Sequence, residues 1–323
     1  MDFPFKRALV TGGAGFIGSH LVEALVQRGV ETVSLDDYSA GKAENLAHLG
    51  GRPHLREVRC DVTEPEALEP WFEGVEVVFH QAASKKTVCL RDPRRDLRVN
   101  AEGTYNVLDL ARRHGVRKFV HGSTGSVYGE ARYFPQDEAH PLAPASYYGV
   151  SKLAGENYVQ VFGRLYGLDT TILRYFHVYG PRQESSDVGG VVSIFTRRLL
   201  LGLPITIFGD GTQQRSFTYV DDVVEANLRA AVRPEARGAT LNCASGIRVT
   251  VRELAEAVAE LLEVPAPEVR YADWMPGDIR VFDIDNARIR RVLGLEFLTD
   301  FRQGLRRTIA WARDYFRKGA PVV

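Results

Sequence analysis

Residues 7–18 read RALVTGGAGFIG. The run Arg7–Thr11 has the length and β-branched character of a buried strand, and Gly15–Gly29 carries helical periodicity ended by a glycine. Between them the glycines are spaced as Gly12-x-x-Gly15-x-x-Gly18 and as Gly13-x-Gly15-x-x-Gly18. Such a strand-to-helix turn lets backbone approach an anion closely. The helix start at Phe16 and Ile17 then offers N–H groups and the positive dipole end to a pyrophosphate. Asp36 and Asp37 close the next β-rich run, Thr32–Asp36, at the spacing of about 20 residues at which a ribose-binding acid is expected. Asp36 would accept hydrogen bonds from the adenosine ribose and repel a 2′-phosphate, so the expected cofactor is NAD and not NADP. Asp61 and Val62 follow a third run, His54–Arg59, and are placed for the adenine; Asp61 reads equally well as a helix N-cap before Thr63-Glu64.

Outward from this unit the alternation continues. Val75–His80 and Val116–His121 read as strands, Asp92–His114 and Tyr147–Tyr166 as helices. Strands alternating with helices predict an α/β fold, a Rossmann-type doubly wound parallel sheet, with a smaller C-terminal α/β substrate lobe. In the second half Thr170–Arg174 and Ile205–Phe208 read as strands, Val249–Glu263 as an amphipathic helix and about Asp300–Lys318 as a terminal helix. The expected division is a cofactor domain at 1–175, with 216–244 returning to it, and a lobe at 176–323. Gly122–Ser146 and Val178–Gly190 lack regular pattern, and each leaves a strand end where open α/β sheets bind ligands.

Composition bounds the function. The 323 residues carry 41 basic and 41 acidic side chains, so no cationic excess exists to bind nucleic acid by counterion release. Cys60, Cys89 and Cys243 are odd in number and far apart, without CxxC or zinc spacing, as expected in a reducing compartment; no metal site is expected. The chain runs from Met1 into a strand without an apolar targeting core, and no run approaches the ~18 residues that span a bilayer. A cytoplasmic protein that neither crosses nor binds membranes is expected.

Tyr148 and Lys152 stand four apart and so share a helix face. A phenol titrates near pH 10, too high for a base at neutrality, and an adjacent ammonium favours its ionised form. Ser123-Thr124 ends the fifth strand, and the Thr124 hydroxyl can address the same substrate oxygen as Tyr148.

These segments together resemble the extended short-chain dehydrogenase/reductases: TGGAGFIG, HQAA at 80–83, Asn100 with Gly103-Thr104, STGSVYG at 123–129, YGVSK at 148–152 and RYFHVYGPRQ at 174–183. Within them the chain is similar to NAD-dependent nucleotide-sugar epimerases of the UDP-glucose 4-epimerase type. The resemblance covers most of the chain. It implies a tightly held NAD, a UDP-sugar substrate and a homodimer formed through the two long helices. By matching position it puts Gln81, Ala82, Ala83, Lys85, Asn100, Ser123 and Tyr175 at the cofactor. Lys85, Ser126, His177, Phe208, Arg215 and Phe282 fall at the substrate, with Arg215 on the diphosphate and Asp278 on the nucleotide ribose.

The implied reaction oxidises the sugar at C4 with Tyr148 as base, turns the 4-keto sugar about its diphosphate link, and reduces it on the opposite face. Relatives that dehydrate or decarboxylate the sugar carry carboxylates where Gly125 and Ser126 stand here. His177 replaces a common asparagine, Met275 a common arginine, and Ser84–Leu90 departs from the usual segment. Glu184 follows Arg182-Gln183 where uronate epimerases tend to carry arginine, which favours a neutral hexose. Bulk at Phe282 disfavours acetamido sugars. A hexuronate 4-epimerase and a non-catalytic NAD-binding regulator stay open as alternatives. The arginines at 94, 95 and 98 read as a solvated helix face.

Overall fold

The computed structural model describes residues 3–84, 86–186, 189–274 and 281–317. β1 (Arg7–Thr11) leads into α1 (Phe16–Gln27), followed by β2 (Glu31–Asp36), β3 (Leu55–Arg59), the short α2 (Pro65–Leu68) and β4 (Val77–His80). Helix then runs through α3 (Lys86–Arg91), α4 (Pro93–Leu97), a π-turn at Arg98–Glu102 and α5 (Gly103–Arg113). β5 (Lys118–Thr124), α6 (Tyr147–Tyr166) and β6 (Asp169–Tyr175) follow. The remaining chain forms β7 (Val178–Tyr179), α7 (Val191–Leu200), β8 (Ile205–Phe208), β9 (Gln214–Ser216), β10 (Thr218–Tyr219) and α8 (Val220–Val232). It closes with β11 (Ala239–Cys243), β12 (Arg248–Thr250), α9 (Val251–Leu262), β13 (Val269–Ala272), α10 (Ala287–Leu293) and α11 (Phe301–Arg317).

Seven parallel strands form one sheet in the order β11-β6-β5-β4-β1-β2-β3. The winding direction reverses between β1 and β4, and the crevice at that reversal is where doubly wound sheets take their ligands. Central strands are covered on both faces and almost wholly buried, as in β4 with all four residues buried. The edge strand β3 instead alternates, exposing Arg56, Glu57 and Arg59 and burying Val58, which blunts the edge against further pairing.

One face packs on α1, α8 and α10 through residues including Leu21, Leu25, Val223, Leu228 and Ile289. The other packs on α5 and α6 through Val107, Leu108, Val159 and Phe162. A third cluster, with Phe195, Ile205, Leu254, Val258 and Phe301, holds α7, β8, α9 and α11 together, and Phe16 and Ile17 at the start of α1 pack against it. The phosphate turn therefore sits where sheet and lobe meet. β11 returns to pair with β6 after α8 has packed on α1.

The expected helix Asp92–His114 is interrupted. The π-turn carries Asn100 inward, wholly buried, where its amide donates to Asp96 Oδ1 and Ser151 Oγ at 3.0 Å each and accepts the Ser84 N–H at 2.9 Å. Such single-turn widenings concentrate at functional sites. β5 runs three residues further than expected, to Thr124, because Gly122–Thr124 pair with Leu173–Tyr175 of β6.

α6 begins at Ser146, whose side chain accepts the Gly149 N–H at 3.1 Å, and ends at Gly167 in the left-handed region. Two turns below Tyr148, Glu156 is fully buried. Its carboxylate accepts the Ser123 hydroxyl at 2.5 Å and a forked pair of bonds from Arg174 at 3.0 and 2.6 Å. Arg174 also donates to the Tyr128 hydroxyl at 2.8 Å, which donates to Asn242 at 2.6 Å. Helix α6, strands β5, β6 and β11, and the loop after β5 are thus tied at one point. Glu156→Gln strips the compensating charge from Arg174, and the unfolding free energy is expected to fall by about 3–5 kcal/mol. Replacing both Glu156 and Arg174 with methionine should cost clearly less, as urea denaturation would show.

Candidate active site

The turn between β1 and α1 is built by close approach. Gly12 lies at φ 66°, and a Cβ on it would stand 2.7 Å from the Ala82 nitrogen beyond β4. A Cβ on Gly18 would strike the Gly12 carbonyl oxygen. α1 starts from Gly15 with no side-chain cap and no acid in its first turn. The N–H groups of its first turn, from Phe16 on, thus meet no acid of the helix itself, which fits a pyrophosphate. The Ala82 N–H rests on Thr11 Oγ1 at 3.2 Å, so Gln81–Ala83 are fixed beside the turn at the β1/β4 reversal.

Asp36, buried at the end of β2, accepts the Ala14 N–H at 2.9 Å and the Tyr38 N–H at 2.8 Å. Burial raises its carboxyl, against the downward pull of backbone bonds from Tyr38, Ala14 and Gly15. Asp36 thus holds the phosphate turn as well as standing where a ribose would lie. Asp61 accepts the Thr63 N–H and hydroxyl at 2.9 Å each. This is a local turn and not a helix cap, because the N-cap of α2 is Glu64, three residues on. Arg95, read from sequence as part of a solvated face, instead bridges Asp37 and Asp61 at 3.0 and 2.7 Å.

Tyr148 and Lys152 share the sheet-facing side of α6, with Thr124 hydrogen-bonded to the phenol. The charge pattern differs from the sequence expectation. Burial is the main influence on Tyr148 and pushes the phenol up to about 12, against the pull of the Thr124 bond. The Lys152 ammonium points at the Gly122 carbonyl, 2.6 Å away, and burial drives it down to about 8, with Glu156 and Asp96 acting in the opposite direction. The protein alone therefore keeps Tyr148 as a neutral phenol and does not supply a lowered one. Thr124 Oγ1 stands 3.2 Å from Ser126 Oγ and accepts the Ser126 N–H at 3.1 Å.

Several residues expected at the cofactor also make hydrogen bonds within the fold. Asn100 is wholly buried and joins the segment after β4 to α6; Ser123 is turned into the Glu156 network. Gln81 donates to Asn227 at 3.1 Å, and the Tyr175 hydroxyl stands 3.1 Å from both Gln81 and Asn227. Val62 is buried and Ala83 half-buried near the same strand ends. In the lobe, His177 at φ 36° meets the Phe282 ring edge-on at 4.6 Å, and the Arg215 guanidinium lies over that ring at 5.4 Å. Phe208 ends β8 half-exposed. Lys85, Met275 and Asp278 lie outside the described residues.

Sequence reasoning passed over Glu156, Asp96, Arg174 and Asn227. Glu156 was reachable, since it falls eight residues after Tyr148 and four after Lys152 on one helical face. Asp96 on α4 is buried and acts on both Tyr148 and Lys152, and no local spacing reveals it. Among the described residues no three His, Cys, Asp or Glu side chains group as metal ligands, and no helix is long and apolar enough to cross a membrane.

The model of the NAD dependent epimerase/dehydratase family matches residues 8–244. The UDP-glucose 4-epimerase of Mycolicibacterium smegmatis is 40% identical over 313 residues, 95% of this chain and 99% of that protein. UDP-glucuronic acid decarboxylase 1 of Arabidopsis thaliana is 35% identical over 314 residues, 95% of this chain and 70% of that protein. The UDP-glucose 4-epimerase of Thermotoga maritima, solved with UDP-glucose, superposes with a TM-score of 0.91 at 37% identity, covering 96% of this chain and 99% of its own. The chain belongs to the NAD-dependent epimerase/dehydratase family, and its cofactor is NAD.

Lys152 makes a pH signature available. Its folded value of about 8 lies below the ordinary 10.5, so between those values the unfolded chain holds more protons and stability rises with pH. Below pH 8 the buried ammonium is a standing cost. Cofactor-free Lys152→Met protein is therefore expected to be more stable than the parent at pH 7, by roughly 3 kcal/mol. The difference should shrink toward zero by pH 10 in urea denaturation.

Proposed function

We propose that this protein epimerises a neutral UDP-hexose at C4, interconverting UDP-glucose and UDP-galactose through a transient 4-keto sugar. One observation carries the reading: a Cβ on Gly125 would run into the Phe176 ring, so no acidic side chain fits beside Thr124 in this packing. Elimination of water across the sugar ring needs such an acid, and decarboxylating relatives use one at the neighbouring position, where Ser126 stands. With Tyr148 as the group that exchanges a proton at the substrate, removal and return at one carbon is the supported chemistry.

NAD, when bound, would supply a reversible hydride acceptor. The phosphate turn with Gly12, Gly15, Phe16, Ile17 and Gly18 would hold its pyrophosphate, Asp36 and Asp37 its adenosine ribose, and Asp61 with Val62 its adenine. Gln81, Ala82 and Ala83 would line its path toward Tyr148. Tyr148 takes the proton of the 4-hydroxyl, Thr124 holds the same oxygen, and Lys152 keeps the phenol's surroundings positive. Burial of a positive nicotinamide beside Tyr148 would supply the stabilisation of phenolate that the protein alone lacks. Arg215 in the lobe would hold the diphosphate, leaving the sugar free to turn against the wall made by His177 and Phe282. The division into a cofactor domain, 1–175 with 216–244, and a substrate lobe, 176–323, belongs to the same proposal, as does a cytoplasmic location for its three free cysteines.

Glu184 accepts the Ser186 N–H at 2.9 Å and acts on Lys42, so its charge is partly spent away from the sugar, and UDP-glucuronate belongs in any substrate panel. A homodimer is supported by aromatic surface on the two long helices, where Tyr105 and Tyr158 meet edge-on at 5.6 Å while both stay exposed beside Leu165 and Tyr166.

Tyr148→Phe should retain NAD while its turnover of UDP-galactose falls by about two to four orders of magnitude; near-parental turnover would remove Tyr148 as the base. Against UDP-glucose, UDP-glucuronate and UDP-N-acetylglucosamine, the largest kcat/KM is expected for UDP-glucose. Tyr158→Glu should shift the particle mass in light scattering from two chains to one.

A further inference from the structure

We propose that Arg95 is a positioning residue for the adenosine half of NAD, strapping the ends of β2 and β3 into one pocket wall. The inference rests on the reading that adenosine lies at those strand ends. A single nitrogen, Nη2, reaches Asp37 Oδ2 at 3.0 Å and Asp61 Oδ2 at 2.7 Å. Each carboxylate is already fixed through its other oxygen. Asp37 Oδ1 accepts the Ser39 N–H at 2.9 Å and its hydroxyl at 2.7 Å, and Asp61 Oδ1 accepts the Thr63 N–H and hydroxyl at 2.9 Å each. Two strand-end turns therefore present their outer oxygens to one cation.

The cation is itself aimed. Asp92 caps α4 by accepting the Arg95 N–H at 2.9 Å, and Pro93 presets the first turn. All three side chains of the bridge are partly buried, that of Arg95 with 28% exposure, so solvent screens the bridge incompletely. Charge makes the strap necessary. Asp36, Asp37 and Asp61 put three carboxylates at the edge of a pocket that must take a polyanionic dinucleotide. Without Arg95 the outer two repel each other and the ligand, and the spacing between β2 and β3 loosens where the adenine would enter. The chain places this cation on α4, which leads into the π-turn bearing Asn100, so the strap also links the adenosine end to the segment after β4.

The test measures NAD affinity of cofactor-depleted protein by calorimetry in Arg95→Ala, Arg95→Lys and Asp36→Ala, alongside melting temperature without NAD and kcat at saturating NAD. Arg95→Ala is expected to bind NAD about tenfold more weakly, with parental kcat at saturation and a parental NAD-free melting curve. Arg95→Lys should recover part of the affinity, since it restores the charge without the rigid fork. Parental affinity in Arg95→Ala overturns the inference. So does an NAD-free melting temperature that falls in both Arg95 variants, which would make the bridge purely structural. Parental affinity in Asp36→Ala would instead overturn the placement of adenosine on which the inference rests.

Discussion

The buried carboxylate of Glu156 sets the position of everything that follows. It has no access to water, and an ionised group in such a place is tolerable only when every side of it is satisfied. Ser123 and Arg174 satisfy it from two adjacent strands, and Arg174 passes the constraint on through Tyr128 to Asn242 on a third. Because Glu156 rides on α6, one choice of α6 height and rotation completes the set. That choice turns Tyr148 toward Thr124 and Lys152 toward the Gly122 carbonyl. The reacting groups are aligned by a network none of them belongs to.

The site so aligned is electrostatically unfinished. Burial raises the Tyr148 phenol and lowers the Lys152 ammonium, so neither ionised form is comfortable in the protein alone. A positive group bound beside Tyr148 would favour its phenolate. His80 and His121, stacked at 5.4 Å beneath the same strand ends, are both kept neutral by burial and by the nearby lysine. They add no competing charge.

Substrate handling divides the same way. The lobe's own core carries Phe217, near His177, and holds β9, which bears Arg215. Arg215 thus rests on a packed frame, beside the ring edges of His177 and Phe282. Phe176, which leaves no room for a side chain at Gly125, also packs within 6.5 Å of Phe282. The feature that excludes an acid beside Thr124 and the one that shapes the sugar wall are one packed unit.

The order of strands and helices was legible because it rests on short-range physics. The period of apolar residues, the glycine spacing at 12, 15 and 18, and an acid at the end of the second strand each act within a few residues of where they stand. Tyr148 and Lys152 were legible for the same reason, through helical spacing. The errors came where the answer lies across the sheet. The π-turn at Arg98–Glu102 carries Asn100 to Ser151, Ser123 meets Glu156 on α6, and Arg95 is drawn partly out of solvent by Asp37 and Asp61, 58 and 34 residues earlier. The ionisation of Tyr148 and Lys152 is of the same kind, since burial is a property of the packed chain and not of a motif. Local sequence determined which groups the protein owns and on which elements they ride; only tertiary packing decided their partners and charges, because those depend on what surrounds a side chain in three dimensions.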